Sequence, residues 1–245
     1  MLSPLISIIT PTYGRSSRLE KAIDSVIFQS YKNIEYIIID GGSTDATIDI
    51  IKKYEDSIDF WSSEKDQGIY YGFNKGLLQA GGDMIGFVNS DDILLENAIS
   101  TLVNYYNKYP KIDFIFGSVK KHWGILHGYK PWKIFFSWGF YTSHSTGFFI
   151  KKEAAKIVGD YNTEYKYSSD YDYFYRMIVK FKLKGIATKK NEILGRFRRG
   201  GLSSRIKYLD FLKENNKIRL NNGQHFIFVY LIFILRLIRN FTKIL

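Results

Sequence analysis

The first 110 residues alternate short, wholly apolar runs with helical patterns, and this rhythm constrains the fold more than any other feature of the chain. Residues 5–10 are a β-branched apolar run closed by Pro11, which predicts a buried strand followed by a turn. Over 17–30, Leu19, Ala22, Ile23, Val26 and Ile27 fall at helical spacing, with Ser17 placed to cap the helix. Further strands are predicted over 34–39, 58–61 and 84–88. Helices are expected from Thr44 or Asp45, from Gly68 to Ala80 with Gly81 and Gly82 as the stop, and over about 95–108 before Pro110. Strands apolar on both faces that alternate with helices predict an α/β fold whose mostly parallel sheet is covered on both sides.

Ligands of such sheets sit beyond the carboxyl ends of the strands. Those ends carry Thr12 and Tyr13, Asp40, Asp66 and the run Asn89-Ser90-Asp91-Asp92, all polar and mostly acidic. The last run offers hard oxygen ligands of the kind that hold magnesium or manganese together with substrate phosphates. Its other reading is a strand-to-helix turn in which Asp92 caps the helix near Leu95. Asp40 precedes Gly41 and Gly42, which let backbone approach a ligand, and it equally suits an Asx turn. The chain has no G-x-G-x-x-G after a strand, which disfavours a dehydrogenase-type dinucleotide site.

With 245 residues the chain accommodates one sizeable α/β domain and a short appendage. It has no cysteine, so disulfides and thiolate metal sites are excluded, in keeping with a reducing compartment. No basic leader precedes the first apolar run, which reads as a strand and not as a signal peptide. The net charge of +11 is uneven: from Arg176 onward 17 Lys and Arg face only Glu192, Asp210 and Glu214. That part is the expected contact for something anionic, and with no nucleic-acid motif beside it, nucleic acid is not expected as a partner.

Beyond Lys111 the rhythm breaks. Residues 120–144 gather aromatics, among them Trp123, Tyr129, Trp132 and Trp138, and end at His144. These suit the apolar face of a ligand or, alternatively, a second small core. A strand over 146–150 and a helix over about 169–182 follow, then a basic loop over 196–204. Arg198 and Arg199, with Gly200 and Gly201 as hinges, either close over an anion or form a solvated turn. In 225–245 the uninterrupted apolar run, 226–235, is too short to span a bilayer. Arg236, Arg239 and Lys243 recur at helical spacing, which predicts a basic amphipathic helix in a membrane interface. The alternatives are a helix packed on the domain or on a second subunit.

The stretches SIITPTYGR, FQSYKNIEYIIIDGGSTDAT, SEKDQGIYYGFNKGLLQAGGDMIGFVNSDD and SSDYDYFYRM, in this order between residue 6 and about residue 200, closely resemble the family 2 glycosyltransferases of the GT-A fold. The resemblance implies an inverting transfer from a nucleoside-diphosphate sugar, with UDP the expected nucleotide, assisted by Mn2+ or Mg2+. It implies that Pro11, Thr12, Tyr13 and Arg15 line the nucleotide pocket, that Asp40 contacts the base or ribose, and that Asp66 and Ser90 serve the donor side. Asn89-Ser90-Asp91 stands in place of the D-x-D motif, with Asp91 the expected metal ligand and Asn89 beside it. Asp170 matches the acid of the family's E-D pair, the general base, and its spacing to Arg176 fits E-D-x-D-x-x-x-R. Asp172 is the other candidate, unless it faces away or pairs with Arg176. Further contacts to donor or acceptor are expected from Asp92, Trp138, His144, Arg198 and Arg199. Three positions depart from the family pattern: Gly14 for Asn, Asn89 for Asp and Ser169 for Glu. They motivate an alternative, a catalytically weakened nucleotide-sugar-binding protein of the same fold.

The chain thus divides into a nucleotide-sugar-binding half (1–110), an acceptor-side half (111–205) and a helical C-terminal extension (206–245). The expected setting is cytoplasmic, peripheral on the inner face of the cell membrane. There the enzyme would extend a glycan or lipid-linked glycan in surface polysaccharide synthesis, as a monomer or an oligomer.

Overall fold

In a computed structural model the chain is described over residues 2–137, 145–198 and 206–240. Its strands are β1 (Ile6–Thr12), β2 (Ile34–Asp40), β3 (Phe60–Ser63), β4 (Met84–Phe87), β5 (Ile93–Leu94), β6 (Phe114–Phe116), β7 (Ser118–Lys121), β8 (Gly124–Leu126), β9 (Phe148–Lys151), β10 (Gly185–Ala187) and β11 (Ile193–Arg196). A seven-stranded sheet runs in the order β10-β6-β9-β4-β1-β2-β3, with β1 to β4 mutually parallel and β9 antiparallel to both its neighbours. A smaller sheet, β5-β11-β7-β8, stands beside it.

The helices are α1 (Ser16–Ile27), α2 (Thr47–Lys53), α3 (Ile69–Gln79), α4 (Ala98–Lys108), α5 (Lys152–Val158), α6 (Ser169–Tyr175), α7 (Tyr208–Asn221) and α8 (Phe226–Arg239). Every residue of β1 is buried, and its side chains divide by the two-residue period of a strand. Ile6 and Ile8 join one core with Leu19, Ile23 and Val26 of α1, while Ile9 joins another with Phe73 of α3. The sheet is therefore covered on both faces, as its apolar strands require.

Several boundaries differ from those expected. No side-chain cap bond starts α1, which begins at Ser16, and α2 begins only at Thr47, whose N–H donates to Asp45 Oδ1 at 3.1 Å. β3 lies two residues beyond its expected start. Asp92 does not cap α4, because β5 intervenes and α4 starts at Ala98. The strand expected from Thr146 begins at Phe148, after a short 3-10 turn over Ser145–Gly147. α6 ends at Tyr175 and continues as a π turn over Arg176–Lys180.

Candidate active site

The carboxyl ends of β1, β2 and β4 open on a cleft of about 790 Å³. Pro11, Thr12, Tyr13 and Arg15 line it from the end of β1, Asp66 from the loop before α3, and Asn89, Ser90 and Asp91 from the end of β4. Asp170 lines the same cleft from the first turn of α6. One rim thus gathers most of the expected site.

Asp40 does not line the cleft. Its fully buried carboxylate accepts the N–H groups of Gly42 (3.0 Å) and Ser43 (2.8 Å) and the hydroxyls of Ser43 (2.5 Å) and Ser63 (2.7 Å). The Asx-type turn expected as its alternative role is present, and Asp40 shapes the wall from behind while Gly41 and Gly42 face the cleft. Gly42 has φ +85°, and a Cβ there would lie 2.9 Å from Lys65 Cα, so a glycine is required. Asp66 accepts the Gly68 N–H at 3.0 Å, and burial pushes its carboxyl above the usual range.

At the end of β4 the four polar residues divide. Asp91 lies 3.9 Å from Arg18 of α1. Asn89 donates through Nδ2 to Ser145 Oγ (2.8 Å) and Asp92 Oδ2 (3.3 Å), while its Oδ1 is buried without a hydrogen-bond partner among the described residues. Thr12 Oγ1 is likewise buried and unpartnered. Asp92 is fully buried and accepts Thr146 Oγ1 (2.5 Å) and the Arg198 N–H (3.2 Å). It ties the β4–β5 turn to the segments around 146 and 198 and does not line the cleft. Arg198 also stands outside the lining, and Trp138, His144 and Arg199 lie outside the described residues.

Among the described residues no group of three or more His, Cys, Asp or Glu could hold a metal ion. The orphaned Asn89 oxygen and the Asp91 carboxylate still form a pair of hard donors at the cleft. Such a sparse set suits Mg2+ or Mn2+, which keep several waters and substrate phosphate oxygens as ligands.

On α6 the two acids part company. Asp170 Oδ1 accepts the Tyr171 N–H (2.8 Å) and faces the Tyr70 hydroxyl of α3 at 3.4 Å. Asp172 is buried, pairs with Arg176 Nε at 2.9 Å and accepts Asn222 Nδ2 at 2.8 Å. Arg176 also donates to the carbonyls of Val158 and Asp160 (2.6 Å). The pairing of Asp172 with Arg176 is therefore present, and Asp170 is the acid left in the cleft.

The chain pattern did not reveal what holds α6. The Glu214 carboxylate of α7 accepts the N–H groups of Lys166 (2.8 Å), Tyr167 (2.8 Å) and Ser168 (2.7 Å), fixing the loop that leads into Asp170. An acid so distant in sequence gives no local signal. Tyr70 and Tyr167, with Phe197 and Ile206, also line the cleft. Lys121 sits 4.3 Å over the Phe197 ring, where burial lowers its pKa. The aromatic stretch divides: Tyr129 packs on Phe114 and Phe116 of the main core, whereas Trp123 and Trp132 are exposed.

The largely parallel sheet and the cleft at its strand ends, with carboxylates along it, define an α/β protein with a ligand site at the strand ends, and comparison with known proteins makes the class specific. The family model "Glycosyl transferase family 2" matches residues 7–174, and the chain belongs to that family. An uncharacterized glycosyltransferase of Rickettsia typhi is 29% identical over 189 residues, covering 72% of this chain and 59% of its own length. A PGL/p-HBAD biosynthesis glycosyltransferase of Mycobacterium bovis is 26% identical over 228 residues, covering 87% of this chain and 85% of its own. The chain thus spans under two thirds of the rickettsial relative and most of the mycobacterial one. Among solved structures, S. aureus TarS 1–349 in complex with UDP-GlcNAc superposes with a TM-score of 0.72 at 17% identity, over 97% of this chain and 72% of that one. The mannosyltransferase PcManGT of Pyrobaculum calidifontis, in complex with GDP-Man and Mn2+, gives 0.68 at 16% identity, over 94% and 68%. The fold is GT-A.

Proposed function

We propose that the protein transfers a hexosyl or N-acetylhexosaminyl group from a nucleoside-diphosphate sugar, UDP first among them, to a hydroxyl of a glycan or lipid-linked glycan. The transfer inverts the anomeric centre and serves surface polysaccharide synthesis. One observation carries the reading: the residues at the ends of β1 and β4 and the Asp170 carboxylate line one cleft.

A sugar hydroxyl is a weak nucleophile, and a carboxylate placed to take its proton during attack accelerates the reaction. Asp170 is assigned that role. The acceptor oxygen bonds to the anomeric carbon, the bond from that carbon to the diphosphate breaks, and the proton passes to Asp170. A divalent ion, when bound, supplies positive charge for the leaving diphosphate, and Asp91 with Asn89 Oδ1 would hold it. Asn in place of Asp at position 89 removes a charge but keeps an oxygen donor. Ser169, which stands where the family has Glu, is buried and does not line the cleft, whereas Asp170 does. The UDP-GlcNAc complex of TarS and the GDP-Man and Mn2+ complex of PcManGT support the donor and metal classes.

A panel of nucleotide sugars assayed for released nucleoside diphosphate, with manganese against chelator and with acceptor present, tests the reading. Metal-dependent release from at least one UDP-sugar is expected. A protein that binds UDP and manganese yet releases diphosphate from no donor would instead be a binding protein of the same fold.

A further inference from the structure

α8 shows solvent one continuous apolar stripe. Phe226, Ile227, Leu231, Ile234, Leu235 and Ile238 follow helical spacing on one side of it, and each is more than half exposed. The opposite side is covered: Val229 and Ile232 are buried, and Phe228 meets Phe136 with ring centroids 5.4 Å apart. Arg236, one of the cations expected at helical spacing on a basic amphipathic helix, turns toward the domain, where it donates to Ser137 Oγ at 2.5 Å and sits 5.7 Å over the Phe211 ring. The stripe itself therefore carries no charge.

A second segment packs against the covered side of α8. The 3-10 turn Pro131–Phe136 is joined to the start of α8 by Gln224 Nε2, which donates to the Phe135 carbonyl at 3.0 Å. The turn exposes Trp132 (59%) with Lys133 over its ring at 5.4 Å. No Asp or Glu occurs between Phe114 and Lys152 or after Glu214, and Lys130, Lys217 and Arg239 in these stretches are exposed. An apolar stripe with interfacial Trp132 and Tyr230 and nearby cations matches a bilayer whose headgroups are anionic. A second copy fits less well, because a two-fold contact would set these acid-free, cationic stretches against themselves.

We propose that α8 and the Trp132 turn form one face that lies flat on an anionic lipid surface. The Tyr171 hydroxyl donates to the Ile134 carbonyl at 2.7 Å, so the docked turn is one hydrogen bond from the helix that carries Asp170. This coupling suits an acceptor anchored in the same lipid. The lipid-linked acceptor rests on the proposed transfer, whereas membrane binding stands without it.

Flotation of the full chain with phosphatidylcholine vesicles, with and without about one third phosphatidylglycerol, tests the face. The protein is expected to float with the anionic vesicles, less so with neutral ones, and less again at high salt. Leu231→Glu/Leu235→Glu should weaken binding by at least about thirtyfold. Ile234→Gln/Ile238→Gln is the milder companion, and thermal unfolding verifies that both fold. Failure of the parent protein to float, or unchanged flotation of both variants, overturns the proposal. So does a dimer in light scattering that these substitutions turn into a monomer, which would show that a second copy covers the face.

Discussion

The wall at the ends of the first strands and the helix that carries Asp170 line one cleft, yet they are held by different means. Asp40 finds its partners nearby, in Gly42 and Ser43 of its own loop and in Ser63 of the next strand. Asp170 depends on distant residues: Glu214 grips the loop before it, Asn222 grips Asp172, and the Ile134 carbonyl anchors Tyr171. The loop and helix that carry Asp170 are held from α7 and the residue after it, through Glu214 and Asn222, so the C-terminal helices help to shape the cleft.

Three substitutions sharpen this contrast. Asp172→Ala removes the carboxylate from a buried pair and leaves Arg176 uncompensated, which is expected to cost about 3–5 kcal/mol of stability. A melting temperature equal to the parent's would show that the pair holds nothing. Glu214→Gln strands N–H groups at the mouth of α6, at a cost of about 1–3 kcal/mol. Turnover should fall with UDP affinity unchanged, and a parallel loss of both would mean that the two walls are not independent. Ser43→Ala deletes one of several donors to Asp40 and should cost about 1 kcal/mol, weakening UDP binding a few-fold by calorimetry while kcat holds. A drop in kcat instead would tie this loop to the chemistry.

The same contrast separates what the amino-acid sequence makes legible from what only tertiary packing decides. β1 and β2 declare themselves because a strand buried on both faces must be apolar along its length, and their loops follow from glycine and aspartate at the strand ends. Asp91 is legible for the same reason, at the end of the buried strand β4, whereas β3 before Asp66 is only partly covered and its start lies two residues from the expected one. Asp92 reads as a ligand or a cap from its neighbours in the chain, because nothing local says that Thr146 and Arg198 will surround it. Helical spacing located Arg236 on α8, but spacing shows which residues share a side and not which side is covered. Glu214 gave no signal, since its partners become neighbours only through tertiary packing.

The separation of donor binding from chemistry is tested most directly by two variants in the same two assays. Asp91→Ala should lose metal-dependent UDP binding. Asp170→Asn should keep UDP affinity within a factor of about two while turnover falls about a hundredfold or more. Undiminished turnover in Asp170→Asn, or loss of UDP binding in that variant to the extent seen in Asp91→Ala, would contradict the account.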